Sequence, residues 1–298
     1  MNVEPREAAA PPSTGSADRI TSIHTDVNLV LIPVTVTDRQ DRLITGLEKT
    51  HFRLFDDKVE QTITHFGSED VPASIVLLFD CSGSMGPKLQ KSRAAVMAFL
   101  KGGNPEDEFS LVQFNDRAQL LVGFTNQSEE IQNRLFSLQS RGRTALLDAM
   151  YLALNELRHA KHSRKAILVI SDGGDNNSRY TFREVRDRVR EADAQIYAIG
   201  IMEPVNGRMR TPEEFAGPAL LDDLAQQSGG RLFEVDDLNE LNDIAAKVGT
   251  ALRHQYMLGY SPSEEKRDGK YHKVKVTVSK PKGLPALRTS FRTGYYAH

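Results

Sequence analysis

The segment Ile75-Val76-Leu77-Leu78-Phe79-Asp80-Cys81-Ser82-Gly83-Ser84-Met85-Gly86 constrains this chain more than any other. An unbroken apolar run ends on a carboxylate, turns through two hydroxyls and a glycine, and passes Pro87 into a helical pattern. Such a run suits a strand covered on both faces, as in a parallel sheet flanked by helices. In sheets of that kind ligands bind at the carboxyl ends of the strands. Asp80, Ser82 and Ser84 would then meet at a binding edge. A carboxylate and two hydroxyls are hard oxygen donors, suited to Mg²⁺ or Mn²⁺. The same three residues could instead cap the helix that follows, which Asp and Ser do well.

From about Ala73 the chain alternates strand and helix. Leu89, Val96, Met97 and Leu100 have helical spacing, and Phe109 to Asn115 and Gln119 to Phe124 read as a tight antiparallel pair. Leu147, Met150, Tyr151, Leu154 and Leu157 form a second helical stripe, and Phe182, Val185 and Val189 a third. Ala166 to Ile170 and Gln195 to Ile201 are further strands. A short helix is expected around Leu220, Leu221 and Leu224, stopped by Gly229-Gly230, then an edge strand from Arg231 to Val235. A last helix runs from about Leu238 to Arg253. This rhythm predicts a mostly parallel sheet with helices on both faces.

The flanks read differently. Val30, Ile32, Val34 and Val36 alternate with polar residues, and Phe52 to Asp57 followed by Val59 to Phe66 reads as a hairpin. After Arg253 the β pattern returns in Gln255 to Tyr260, in Val274, Val276 and Val278, and in Leu287 to Thr293. Each β segment is too small to bury a core alone. The economical solution is one β-sandwich made by both ends of the chain, with the α/β region inserted into it.

In 298 residues, 26% are charged, 39% are hydrophobic and the formal net charge is −2, which argues against a general nucleic-acid binder. No apolar run approaches the roughly 18 residues of a transmembrane segment. Cys81 is the single cysteine, so no internal disulfide forms. It reads as a small packed side chain behind the loop rather than a redox switch. Residues 1–20 read as a disordered leader without the apolar core of a signal peptide. That fits a cytoplasmic chain or a secreted or periplasmic one whose export signal has been removed.

Asp80-x-Ser82-x-Ser84 resembles the first motif of the metal-ion-dependent adhesion site (MIDAS) of von Willebrand factor A domains. The two other parts of that site follow in order. They are Thr144, in Gly142-Arg143-Thr144-Ala145, and Asp172, in Ile170-Ser171-Asp172-Gly173-Gly174-Asp175. The flanks Phe52-Arg53-Leu54-Phe55-Asp56-Asp57, Tyr256-Met257-Leu258-Gly259-Tyr260 and Arg292-Thr293-Gly294-Tyr295 are similar to a bacterial group of von Willebrand factor A-related proteins. The resemblance covers nearly everything after residue 20. It implies an α/β fold with a doubly wound, mostly parallel, Rossmann-like sheet over 72–253. This is inserted into a β-sandwich made of 21–71 and 254–298.

It implies a function too, namely cell-adhesion or assembly binding of a protein through Mg²⁺ or Mn²⁺ rather than Ca²⁺. Ser82, Ser84 and Thr144 would supply hydroxyls, and Asp80 and Asp172 would bind directly or through water. An acidic side chain of the protein partner would complete the coordination. Asp148 and Asp175 stand next to the ligands in sequence, as a helix-start residue and a turn residue that support the site. In family members that switch, the last helix moves. An alternative within binding modules is a subunit working with an ATPase-driven assembly complex.

An enzyme reading rests on the serines. A hydrolase nucleophile elbow needs Gly-x-Ser-x-Gly, and around Ser84 the first glycine is missing. His159 and His162 lie at a helix end rather than in a partner motif, and nothing nominates a base for metal-assisted hydrolysis. Asn126 and Asn176 open glycosylation sequons that chance alone produces. The long stretch Met202 to Phe215 is either a recognition loop on the metal side of the sheet or a tolerated insertion.

Overall fold

The computed structural model describes residues 29–68, 70–202, 212–262 and 269–297. The expected leader over 1–20 and residues 203–211 of the long loop lie outside the described residues.

The first strands are β1 (Val30–Thr37), β2 (Phe52–Asp56), β3 (Val59–Gln61) and β4 (His65–Gly67). Next come β5 (Ala73–Asp80), α1 (Leu89–Lys101), β6 (Glu108–Phe114) and β7 (Ala118–Thr125). They are followed by α2 (Ser128–Phe136), α3 (Leu146–Glu156), β8 (Arg164–Ser171), α4 (Phe182–Glu191) and β9 (Gln195–Ile201). The inserted region closes with α5 (Pro212–Ser228), β10 (Arg231–Val235) and α6 (Leu241–Arg253). Four strands end the chain: β11 (Tyr256–Tyr260), β12 (Tyr271–Val278), β13 (Arg288–Phe291) and β14 (Gly294–Tyr296).

The central sheet runs β10-β9-β8-β5-β6-β7. All neighbours are parallel except β7, which returns antiparallel on β6. All eight residues of β5 are buried because helices cover both faces. Ile75, Leu77 and Phe79 point into a core with Val96 and Phe99 of α1, Ile131 of α2 and Val248 of α6. Val76 and Leu78 point into the opposite core, with Met150 of α3, Val185 of α4 and Leu221 of α5. The period-2 geometry of a strand sends successive residues to opposite faces, so an unbroken apolar run feeds both cores.

The remaining strands form two antiparallel sheets, β13-β1-β11-β4 and β14-β12-β2-β3. They share one core that includes Ile32, Val34, Leu54, Leu258, Tyr260 and Val276. Strand β1 from the beginning of the chain lies between β11 and β13 from its end. Strand β2 likewise lies between β12 and β3. The sandwich therefore closes around the inserted α/β region, as the two β-rich ends implied.

Three local expectations change. Val59 to Phe66 is not one return strand: β3 pairs with β2, while β4 crosses to pair with β11 in the other sheet. Leu287 to Thr293 is shortened to β13, which pairs with β1, and the separate β14 that follows it pairs with β12 in the other sheet. The short helix near Leu220 is the 17-residue α5, which begins at Pro212 inside the expected loop and carries Pro218 within it. Proline is well suited to a first helical turn, and an internal proline interrupts the hydrogen-bond ladder that a sequence reader looks for. Helix α2 was not expected at all. Among the described residues no helix is long and apolar enough to cross a membrane.

Candidate metal centre

Strand β5 delivers Asp80 to the carboxyl edge of the central sheet, fully buried. Its Oδ1 accepts the Ser82 backbone N–H at 2.8 Å, and its Oδ2 accepts the Ser171 hydroxyl at 2.5 Å. Ser171 ends the adjacent strand β8, so this bond ties the first site loop to the strand that leads into Asp172. Burial, and then the charge of Asp172, push the Asp80 carboxyl up to about 7. A nearby cation would reverse that effect, because an opposite charge favours the ionised form.

Ser82 and Ser84 lie with their hydroxyl oxygens 3.1 Å apart. Ser82 starts the 3₁₀ turn Gly83–Lys88, yet its side chain makes no capping bond, and α1 has no side-chain cap either. The helix-capping alternative is therefore not what these side chains do. Cys81 is buried behind the loop, and burial followed by the Asp80 charge pushes its thiol up to about 12. It is a packed side chain and not a poised thiolate.

The loop that carries Thr144 docks on this turn through the backbone. Arg141 N–H donates to the Cys81 carbonyl at 2.8 Å, Gly83 N–H donates to the Gly142 carbonyl at 3.0 Å, and the Ser140 hydroxyl donates to the Ser82 carbonyl at 2.5 Å. Gly142 has φ +79°, and a Cβ there would meet the Asp116 carboxylate at 2.3 Å. That close approach lets Asp116 accept the Arg143 N–H at 2.8 Å and fix the loop. Thr144 is buried, its N–H donates to Asn176 Oδ1 at 2.9 Å, and its carbonyl accepts the N–H groups of Asn176 and Asn177 at 3.0 Å each. The second and third site loops are thereby joined.

Asp172 is buried after β8. Its Oδ2 accepts from the Lys88 ammonium at 3.1 Å, in an ion pair whose two side chains are 7% and 5% exposed. Its Oδ1 is buried with no hydrogen-bond partner. A buried acceptor left unmatched costs about 1–3 kcal/mol, and a cation or a water would remove that cost. The donor set fits a hard divalent cation: three hydroxyls and two carboxylates, one of whose oxygens has no partner, on a strand end and loops at one sheet edge.

Asp148 and Asp175 act on the loops. Asp148 Oδ1 accepts the N–H groups of Arg179 and Tyr180 at 2.8 and 3.1 Å, and its Oδ2 accepts Arg179 Nε at 3.2 Å. Asp175 Oδ1 accepts the Ser178 hydroxyl at 2.5 Å and the Leu147 N–H at 3.3 Å, and burial raises its carboxyl above the usual range. Both clamp the 172–180 loop to the start of α3. Sequence reasoning missed Ser171, Asp116, Asn176 and Lys88. Asn176 stood out only as part of a sequon, and Lys88 carried no local signal.

The exposed arginines Arg141, Arg143 and Arg179 stand on the two loops that carry Thr144 and Asp172. Ser84, the residue an elbow would use, has a hydroxyl as its partner and not an imidazole. His162 bonds the Glu106 carbonyl at 2.9 Å, and its N–H donates to Ser74 near the start of β5, the far end of the strand from Asp80. A separate acidic and histidine group lies in the sandwich: His272 Nδ1 is 2.9 Å from Asp57 Oδ2 and 3.7 Å from Asp56 Oδ1.

A family model described as the von Willebrand factor type A domain matches residues 74–247. An uncharacterized protein of Borreliella burgdorferi is 25% identical over 186 residues, 55% of this chain and 54% of that protein. Inter alpha-trypsin inhibitor heavy chain 4 of Mus musculus is 26% identical over 225 residues, 68% of this chain and 23% of that protein. The chain thus spans about half of the first relative and less than a quarter of the second. Among solved structures, a von Willebrand factor type A protein from Catenulispora acidiphila superposes with a TM-score of 0.52 at 11% identity, over 92% of this chain and 74% of that one. Proximal thread matrix protein 1 from the mussel byssus gives 0.52 at 17% identity, over 66% of this chain and 50% of that one. These likenesses are to the fold.

Proposed function

The chain belongs to the von Willebrand factor type A domain family, and from that premise we propose that it is a non-catalytic protein-binding module that works through a divalent cation. Asp80, Ser82, Ser84, Thr144 and Asp172 hold Mg²⁺ or Mn²⁺, and a carboxylate of the partner completes the coordination. The observation that carries this reading is the unpartnered buried Oδ1 of Asp172, at the same sheet edge as two serines that cap no helix. The ion, when bound, supplies a positive centre for an acidic side chain. The protein supplies the rest: hydroxyls that bind without adding charge, backbone bonds that hold three loops in register, and exposed Arg141, Arg143 and Arg179 that favour an acidic approach. Residues 72–253 form the binding unit in this reading, and 21–71 with 254–298 form the sandwich that carries it.

Calorimetric titration of chelator-stripped protein with Mg²⁺ and with Mn²⁺ tests the reading. One saturable site is expected in the wild type. Asp80→Ala, at the rim of the sheet, should stay folded and lose more than about a hundredfold in affinity, beyond the usual effect of an outer-shell substitution. An Asp80→Ala protein with unchanged affinity would refute the assignment.

A further inference from the structure

Lys88 is a buried charged side chain that touches a proposed ligand without belonging to the ligand pattern. It leaves the end of the 3₁₀ turn Gly83–Lys88, buried, and points across the sheet edge. Its Nζ donates to Asp172 Oδ2 at 3.1 Å and to the Ile201 carbonyl, at the end of β9, at 3.4 Å. A buried ammonium is retained only where it is paired, and here its partner is a carboxylate assigned to the cation. The bond has two consequences. It occupies Oδ2 and leaves Oδ1 as the oxygen without a partner. It also fixes the charge of the site.

We propose that Lys88 is a positioning residue that acts as a built-in counter-cation: it presents Asp172 through one oxygen, holds down the affinity for the divalent ion, and leaves the loaded site net positive so that it prefers an anionic ligand. The inference rests on the metal-binding reading above. The charges are simple. Asp80 and Asp172 contribute two negative charges and Lys88 one positive, so a divalent ion leaves a surplus of one positive charge. Without Lys88 the loaded site would be neutral and would offer an acidic partner less attraction. The fixed ammonium also repels the ion, and in a buried site that repulsion is weakly screened. A merely structural lysine makes the opposite forecast, because loosening the floor of the site would weaken cation binding.

The test is Mn²⁺ titration of the full chain as wild type, Lys88→Gln and Lys88→Met, with thermal unfolding of each protein with and without Mn²⁺. Glutamine keeps a donor for Asp172 without the charge, and methionine keeps the volume. Both variants are expected to bind Mn²⁺ about tenfold more tightly than the wild type. Their metal-free forms should melt lower, and Mn²⁺ should raise their melting temperature by more than it raises that of the wild type. Acetate added to the Mn²⁺-loaded proteins should bind more weakly to both variants than to the wild type. Equal or weaker Mn²⁺ binding by a folded Lys88→Gln protein overturns the inference while leaving the metal site intact. Absence of Mn²⁺ binding in wild type and Lys88→Gln alike overturns both. Binding by Lys88→Gln alone would show the counter-cation at its strongest.

Discussion

Two buried carboxylates show how differently this chain treats the same group. Asp56 ends β2 inside the sandwich, where its Oδ2 accepts the hydroxyls of Tyr260 and Tyr295 at 3.0 Å each. Asp80 accepts one hydroxyl and one backbone N–H and sits beside a second carboxylate. The first has phenols on one oxygen and His272 Nδ1 at 3.7 Å from the other; the second is the one we propose a cation completes. The phenols around Asp56 lead to a pH prediction. Burial pushes Tyr295 up to about 12 and raises Tyr260 further, and burial also pushes Tyr197 up to about 12. Folded values raised above the unfolded value of about 10 give a contribution that is complete below pH 10 and lost as pH rises through the folded values. Spectrophotometric titration should therefore find at least these three of the eight tyrosines silent near pH 10, ionising only together with the loss of structure at higher pH. Eight phenols titrating together near pH 10 with the fold intact would contradict the packing described. Asp80, Ser82 and Ser84 stand out in the sequence because they follow an unbroken apolar run, whereas Thr144 and Asp172 stand out only through the family resemblance. The Lys88–Asp172 pair does not, because its partners are 84 residues apart and neither has a local pattern to announce the other.

At the level of elements, the site depends on how closely α5 packs under the third loop. Gly173, with φ +85°, lies next to Asp172, and a Cβ there would meet the Gly217 backbone at 2.8 Å. A Cβ on Gly217 would meet Gly173 at 2.4 Å. Neither neighbour is a flexible side chain, so a substitution must move backbone. Gly217→Ala, on α5 and away from the ligands, is expected to cost about 1–3 kcal/mol of stability, the usual range for overpacking. It should also weaken Mn²⁺ binding by displacing the Asp172 loop. Denaturant unfolding and metal titration of this variant check both effects, and wild-type values for both would show that the contact is slack. Elements with long apolar stripes were legible in the sequence. Helix α2 was not: it has nine residues and buries only Ile131 and Leu135, too few to mark a period. The split of β3 from β4 was hidden for a different reason. Alternation reports which side chains are buried, and it is silent on which sheet a strand joins.

For the molecule as a whole, the sandwich and the inserted sheet are also bonded to each other. Gln255, at the exit from α6, donates from Nε2 to Gln195 Oε1 and to the Tyr197 hydroxyl at 2.8 Å each, so the base of β9 is tied to the start of β11. Arg292 pairs with Asp193 at 2.6 Å across the same junction. The insertion was legible because two β-rich ends bracket one α/β rhythm; this junction was not, since its partners are scattered along the chain. The proposed cation site lies at the opposite, carboxyl edge of the sheet, and the molecule has a second oxygen and nitrogen cluster at Asp56, Asp57 and His272 in the sandwich. The measurement that separates them most directly is anomalous diffraction from crystals of the chain grown with Mn²⁺. The account predicts one strong peak bonded to the hydroxyls of Ser82 and Ser84 and facing Asp172 Oδ1. A peak at His272 with none at Ser82 and Ser84 would contradict it.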